Sequence, residues 1–83
     1  MRKKEIVDFD SYKYRIGQNI ARIRKSNGMT QMDMEEFGIT ASYYGKIELG
    51  LYSCSIDKLV LIARAFGVNV SDLFKDEFGK EIL

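Results

Sequence analysis

Hydrophobic residues recur along most of the chain at the spacing of one helical face. Ile16, Ile20 and Ile23 follow each other at i, i+4 and i+7, and Leu59, Ile62, Ala63 and Phe66 repeat the pattern later in the chain. This periodicity is that of amphipathic helices with one buried side. The chain has no proline and no run of strand-like alternation. The pattern therefore predicts an all-α fold.

Capping residues and glycines divide this pattern into five helices. Serine, threonine and asparagine favour helix N-termini, and glycine favours the left-handed turn that ends a helix. The predicted helices run from Asp10 or Ser11 to Ser26, from Thr30 to Phe37, from Thr40 to Leu49, from Ser55 to Phe66, and from Val70 to about Lys75 with Asn69 as its cap. At the second, Asp33 is placed to return the hydrogen bond of Thr30, as in a capping box.

The 83 residues are enough for one compact domain with a small core. We assign this domain to residues 11–75. Residues 1–10 are predicted to form an N-terminal arm or helix extension. Residues 76–83 are predicted to form a tail that contributes a dimer contact.

The composition excludes several classes of function. The chain has no histidine and one cysteine, Cys54, so neither a catalytic centre, a metal site nor an intrachain disulfide is expected. No phosphate-binding loop or other cofactor motif occurs, and we expect no cofactor and no enzymatic activity. No apolar run is long enough to cross a bilayer, and the N-terminus does not read as a secretory signal. A cytoplasmic location is expected.

Charge is distributed unevenly although the formal net charge is only +1. Residues 1–28 carry eight basic and three acidic side chains, whereas residues 29–83 carry five basic and nine acidic ones. The basic residues of the first part either face a polyanion or form a solvated helix face.

The second and third predicted helices, joined by a short turn at Gly38, have the outline of a helix-turn-helix, although any small bundle contains such helix pairs. Three segments are more specific: "IGQNIARIRKSNGMTQ", "GITASYYGKIELG" and "SIDKLVLIARAFGVNVSDLF". In sequence and spacing they resemble the DNA-binding domain of the phage repressor and Cro type. The resemblance implies a compact five-helix, lambda-repressor-like domain that binds double-stranded DNA.

The resemblance also assigns DNA contacts. Residues 40–49 would be the recognition helix in the major groove, and the side chains matching base-contact positions are Ala41, Ser42, Tyr43 and Lys46. Phosphate contacts are predicted at Thr30, Gln31, Tyr52, Ser55 and Lys58. Solvated surface roles for Ser42 and Tyr43 remain the alternative.

Two further positions match structural residues of this family. The resemblance pairs Glu48 with Arg24 in a partly buried ion pair between the third and first helices. Tyr44 matches a position that is apolar in the family, so it is predicted to lie in the core.

The chain departs from the family pattern in two places. Between Gln31 and Gly38 it has one residue fewer, so either the second helix is shortened or Gln31 no longer points toward phosphate. The loop after Gly50, usually basic, reads "LYSCS". We therefore expect modest, salt-sensitive affinity.

These features predict a sequence-specific transcriptional regulator, a repressor or controller acting as a homodimer on an inverted-repeat operator. The apolar C-terminal residues proposed for dimerisation are Val68, Val70, Leu73, Phe74, Phe78, Ile82 and Leu83. The alternative is a protein-interaction module or antitoxin of the same fold with weak or no DNA binding.

Overall fold

The computed structural model describes residues 8–83, and this part of the chain is helical. It contains three α-helices, α1 (Phe9–Ser26), α2 (Ala41–Glu48) and α3 (Ile56–Phe66). Two 3₁₀-helices, Met32–Phe37 and Val70–Phe74, precede α2 and follow α3. The five elements match the predicted helices in order, which confirms the all-α fold, although the second and fifth are 3₁₀ rather than α.

The start of α1 differs from the prediction. Helix α1 begins at Phe9, where the Asp8 carboxylate accepts a hydrogen bond from the Ser11 amide at 3.0 Å. An aspartate caps a helix as well as a serine does, so the cap lies earlier than the residue pattern indicated. Residues 8–10 thus belong to the helical domain, and the rest of the predicted arm, residues 1–7, lies outside the described residues.

The predicted caps Thr30, Thr40 and Ser55 are present as side-chain hydrogen bonds, and at Asn69 the backbone amide donates to the Asp72 carboxylate at 2.9 Å. Thr30 and Asp33 form the capping box: the Thr30 hydroxyl accepts from the Asp33 amide at 3.2 Å, and the Asp33 carboxylate accepts from the Thr30 amide at 2.7 Å. Thr40 and Ser55 cap α2 and α3, each accepting from the amide three residues on at 3.3 Å. These local signals set where the helices of the site begin.

The hydrophobic core draws on all five helices and on the turn before α2. Its buried members are Ile20, Ile23, Met34, Ile39, Tyr44, Ile47, Ile62, Ala63, Phe66 and Leu73. Tyr44 is fully buried, as predicted. No helix between residues 8 and 83 is both long and apolar enough to span a membrane.

The 3₁₀ conformation of Met32–Phe37 compensates for the residue that this helix lacks relative to the family pattern. A 3₁₀-helix has about 3.0 residues per turn and a rise of about 2.0 Å per residue, so it covers the same length with fewer residues than an α-helix. Met34 is fully buried and Phe37 is half-buried. The second helix is therefore shortened, with Met34 in the core, Phe37 only half-buried and Met32 exposed.

Close backbone contact holds α1 against the end of α2. A Cβ atom built on Gly17 would lie 2.4 Å from the Ile47 carbonyl oxygen and 2.6 Å from that of Glu48. Only a residue without a side chain permits this approach. Gly17, which the sequence pattern did not single out, thus sets the distance between α1 and α2.

The C-terminal tail folds back onto the domain. The buried Asn19 amide of α1 donates to the carbonyl oxygens of Leu73 at 2.8 Å and Lys75 at 2.6 Å. The Ile82 amide donates to the Phe74 carbonyl at 2.7 Å, and the Ile82 side chain is buried. Part of the tail predicted to lie outside the domain therefore closes its core.

Candidate nucleic-acid interface

Helix α2 buries one side and presents the other to solvent. Tyr44, Ile47 and Glu48 are buried, whereas Ser42 and Lys46, one turn apart on the opposite side, are exposed. Ala41 and Tyr43 are half-buried on the two flanks of this exposed face. The four predicted base-contact residues thus surround a solvent-facing surface of one short helix.

Tyr43 and Lys46 belong to a row of aromatic and cationic side chains that connects α2 to the loop and helix after it. The Lys46 ammonium lies 5.1 Å from the centre of the Tyr52 ring, and the rings of Tyr52 and Tyr43 are 5.6 Å apart. The Lys58 ammonium lies 6.0 Å from the centre of the Tyr43 ring. We call these four residues the cation–tyrosine row. Ammonium groups at such distances are attracted to the ring faces.

A groove runs along the other flank of α2, between that helix and α1. Its walls include Gln18, Lys25 and Gln31 on one side and Ser42 and Lys46 on the other. Gln18 and Lys25 were not predicted as site residues. In the sequence they are only polar positions on the first helix, which fit a solvated face equally well. Their place beside α2 is set by the packing of the two helices.

Two polar residues that precede α2 in the chain, Gln31 and Glu35, are hydrogen-bonded to that helix. The Gln31 amide nitrogen donates to the Glu48 carboxylate at 2.9 Å. A Glu35 carboxylate oxygen accepts from the Ala41 amide at 3.0 Å, so an acidic side chain of the preceding 3₁₀-helix lies against the first turn of α2. This carboxylate stabilises the helix N-terminus and places a negative charge beside the predicted base-contact surface.

Helix α2 is attached to α1 by the ion pair between Arg24 and Glu48. The Arg24 Nε donates to one carboxylate oxygen of Glu48 at 2.7 Å, and Nη2 donates to the other at 3.1 Å. The third guanidinium nitrogen, Nη1, donates to the Met29 carbonyl at 2.8 Å. Both side chains are largely buried. This two-bond geometry is the strongest form of carboxylate–arginine pairing and fixes the rotation of α2.

The ion pair also shifts the pKa values of its members. Burial raises the pKa of Glu48, but the interactions with Arg24, Tyr44 and Gln31 outweigh burial and leave that pKa below its ordinary value. The hydrogen bond to Glu48 raises the pKa of Arg24. The Tyr44 hydroxyl lies near the pair but has no hydrogen-bond partner of standard geometry in residues 8–83. Burial raises the pKa of Tyr44, so this hydroxyl stays neutral.

The predicted phosphate contacts fall into two groups. Tyr52 and Lys58 lie in the cation–tyrosine row, and Ser55 caps α3 beside them. Thr30 and Gln31 lie at the start of the first 3₁₀-helix, across the groove from α2. The exposed face of α2 therefore lies between two polar helix starts. Backbone amides at such helix starts are suited to phosphate oxygens.

Comparison with known proteins agrees with this arrangement of helices. The helix-turn-helix family matches residues 20–73, which contain α2, α3 and the first 3₁₀-helix, and all but the last residue of the second 3₁₀-helix. The chain belongs to the helix-turn-helix family. The predicted resemblance to this class of DNA-binding regulators is thereby confirmed.

Two relatives place the chain more closely within the family. It is 35% identical over 63 residues to the immunity repressor protein of Bacillus phage phi105, an alignment that covers 75% of this chain. The chain spans less than half of that repressor, 44% of its length. Its fold also matches the crystal structure of the restriction-modification controller protein C.AhdI from Aeromonas hydrophila, with a TM-score of 0.79 and 25% identity. That match covers 82% of this chain and 100% of the controller.

Proposed function

We propose that this protein regulates transcription by binding an operator sequence, with α2 in the major groove. The observation that carries the proposal is the exposed face of α2, where Ser42 and Lys46 face solvent between two helix starts suited to phosphate. Serine bonds to donors or acceptors on base edges, and lysine donates to guanine N7 and O6. Ala41 is placed to touch a thymine methyl group, and Tyr43 flanks the same surface.

The proposed DNA-binding mode assigns the remaining polar residues to the backbone of the duplex. Lys58, Ser55 and Tyr52 would contact phosphates on one side of α2, and Thr30 and Gln31 would contact phosphates on the other. Few cations face this surface, and Glu35 adds a negative charge. Binding is therefore expected to be modest and to weaken steeply with salt. The relatives' roles as an immunity repressor and a controller support a regulatory protein.

The proposal gives the protein a binding role and no catalytic one. The chain contains no histidine. Its single thiol, Cys54, is partly buried, and burial raises the pKa of Cys54 to about 11. A thiol with so high a pKa is almost entirely protonated near neutral pH and is a poor nucleophile.

Replacing Lys46 or Ser42 with alanine should change base preference while leaving the fold intact. Each side chain is exposed, and a base-edge contact carries about 1–3 kcal/mol of discrimination. The measurement compares binding to DNA flanking the gene, to single-base variants of the bound site and to random DNA, at two salt concentrations. Lys80→Ala and Ser71→Ala are matched controls, because both side chains are exposed away from α2. The assignment of α2 is wrong if Lys46→Ala and Ser42→Ala keep the parent's ratio of operator to random affinity.

We also propose that the protein acts as a homodimer on inverted half-sites. One short recognition helix reads few base pairs, and a symmetric pair would place two such helices about 34–36 Å apart in successive major grooves. Of the apolar C-terminal residues, Leu73 and Ile82 are buried within the chain, Val68 and Val70 pack half-buried against the core, and Phe74 is half-buried. Phe78 and Leu83 are 80% and 64% exposed, so we propose these two as the dimer contact.

Phe78→Asp should therefore convert a dimer into a monomer and weaken operator binding. A charge in an apolar contact is costly to desolvate. Light scattering measures the mass, and binding to a full and a half operator measures the consequence. Phe9→Asp is the matched variant at the N-terminal end, where Phe9 is 70% exposed. Loss of the dimer in Phe9→Asp alone would move the interface to α1, and a monomeric parent with full operator affinity would contradict the homodimer.

A protein-interaction module is the second candidate. Apolar side chains are exposed around the end of α2 and the start of α3: Leu49 is 61%, Leu51 62% and Ile56 77% exposed. Exposed apolar groups of this kind are typical of protein contacts. Absence of saturable DNA binding, together with a stoichiometric complex formed through these residues, would favour this candidate.

A further inference from the structure

Tyr52 contacts a predicted base-reading residue from outside the recognition helix. The Lys46 ammonium lies 3.5 Å from the Tyr52 hydroxyl oxygen and 5.1 Å from the ring centre. A lysine side chain on an exposed helix face otherwise samples many rotamers. The tyrosine therefore restricts the directions in which the ammonium points.

Tyr52 is itself held in place by the rest of the cation–tyrosine row. Its ring lies 5.6 Å from that of Tyr43, with an angle of 47° between the ring planes. The Tyr43 hydroxyl donates to the Ser53 carbonyl at 3.5 Å, which ties α2 to the loop that carries Tyr52. The loop thus has a side-chain anchor on the recognition helix.

We propose that Tyr52 is a positioning residue that directs Lys46 toward a base edge. The inference rests on the proposed function, since it requires Lys46 to read a base. An unrestrained ammonium pairs with whichever phosphate is nearest, because the phosphates carry the negative charge of the duplex. An ammonium held beside the Tyr52 hydroxyl and ring edge keeps a fixed direction and loses less entropy when it binds guanine N7 or O6.

This role differs from the phosphate contact predicted for Tyr52. A phosphate contact strengthens binding to all sequences alike, because the backbone carries no sequence information. Positioning of Lys46 affects only the base pair that Lys46 reads. The two roles are therefore separable by measuring discrimination at single base pairs.

The test compares Tyr52→Leu, Tyr52→Phe and Leu51→Ala on a set of operators with single-base substitutions. The base pair that Lys46 reads is identified with Lys46→Ala: it is the base pair whose substitution lowers the affinity of the parent but not that of this variant. At that base pair, Tyr52→Leu should lower discrimination about two- to fivefold, the effect of losing one exposed ammonium–ring contact. Tyr52→Phe keeps the ring but loses the hydroxyl that lies 3.5 Å from the ammonium, so it should retain part of the discrimination. Leu51→Ala is the matched loop control, because Leu51 is exposed next to Tyr52 and its side chain is outside the row.

A second measurement detects the contact between Lys46 and Tyr52 in the absence of DNA. NMR relaxation of the Lys46 side-chain carbons should show smaller-amplitude motion in the parent than in Tyr52→Leu, because the tyrosine restricts the lysine side chain. Tyr52→Phe, which keeps the ring but lacks the hydroxyl, should lie between the two. Melting temperatures close to the parent's would show that the variants are folded.

Several results would overturn the proposal. A loss of affinity in Tyr52→Leu that is equal for all sequences would leave Tyr52 as a phosphate contact alone. A further loss of discrimination at other base pairs when Tyr52→Leu is added to Lys46→Ala would show that Tyr52 acts independently of Lys46. A parent in which the Lys46 side chain is restrained but which has no sequence preference would refute the proposed function itself, and positioning for readout with it.

Discussion

Glu48→Ala is expected to lower the free energy of unfolding by about 3 kcal/mol, because it leaves the Arg24 guanidinium largely buried without its carboxylate partner. The two hydrogen bonds of 2.7 and 3.1 Å between these side chains would be lost, and so would the bond from Gln31. We place the loss at the lower end of the range for buried pairs, because Glu48 borders the open groove beside α2. Chemical denaturation of the parent and the variant measures the difference.

An exposed ion pair provides the control for Glu48→Ala. Lys13 and Asp10 are 3.3 Å apart, but the Asp10 side chain is 94% exposed. Exposed pairs contribute little because water and salt screen them. Asp10→Ala should therefore leave the melting temperature nearly unchanged. If Glu48→Ala behaves in the same way, the Arg24 pair does not hold α2 in place.

The same pair should give the stability a dependence on pH. The pKa of Glu48 in the folded protein lies below its ordinary value of 4.5. The stabilisation is therefore fully present above pH 4.5 and is lost as the pH falls through the folded-state pKa. Glu48→Gln keeps the shape of the side chain without the charge. Its deficit relative to the parent should be largest at neutral pH and should shrink on acidification.

Gly17→Ala is expected to destabilise the protein by about 1–3 kcal/mol, the usual cost of forcing an added group into a packed contact. The new Cβ would lie 2.4 Å from the Ile47 carbonyl oxygen, so α1 and α2 must separate. Both neighbouring carbonyls belong to the backbone, which cannot rotate away as a side chain does. A lower unfolding midpoint, with weaker DNA binding caused by displacement of α2, is the expected result.

Gly45→Ala is the matched control within α2. A Cβ at Gly45 would lie 3.3 Å from the Gln31 side-chain oxygen, which is the far end of a flexible chain. Alanine is favoured over glycine in a helix interior by about 1 kcal/mol. Gly45→Ala should be neutral or stabilising. Equal effects of Gly17→Ala and Gly45→Ala would contradict the close approach of α1 to α2.

Helix boundaries follow from the sequence wherever the signal is local. Thr40 and Ser55 cap α2 and α3: each hydroxyl accepts a hydrogen bond from the backbone amide three residues later. Gly38 and Gly67 adopt the left-handed conformation after helices, at φ values of 87° and 69°. These interactions involve residues a few positions apart, and the same local rules operate in any fold.

The candidate site was only partly predictable. The positions of Ser42 and Lys46 on the exposed face of α2 follow from helical periodicity once the buried side is known. The ion pair of Arg24 with Glu48 was predicted from the resemblance to a family, because two residues that far apart in sequence show no local sign of contact. Gln18 and Lys25, which border the groove beside α2, were missed because a polar residue on α1 fits solvent equally well.

The sequence by itself determined the number and order of the helices, the apolar faces that form the core, and the helix that exposes Ser42 and Lys46. Capping residues and the 3.6-residue period act over a single turn and require no knowledge of the fold. Tertiary structure alone decided the 3₁₀ winding that accommodates the missing residue before α2, the approach of α1 to α2 at Gly17, and the contact of Tyr52 with Lys46. Each depends on the distance between two backbones, which packing sets only after the local elements have formed.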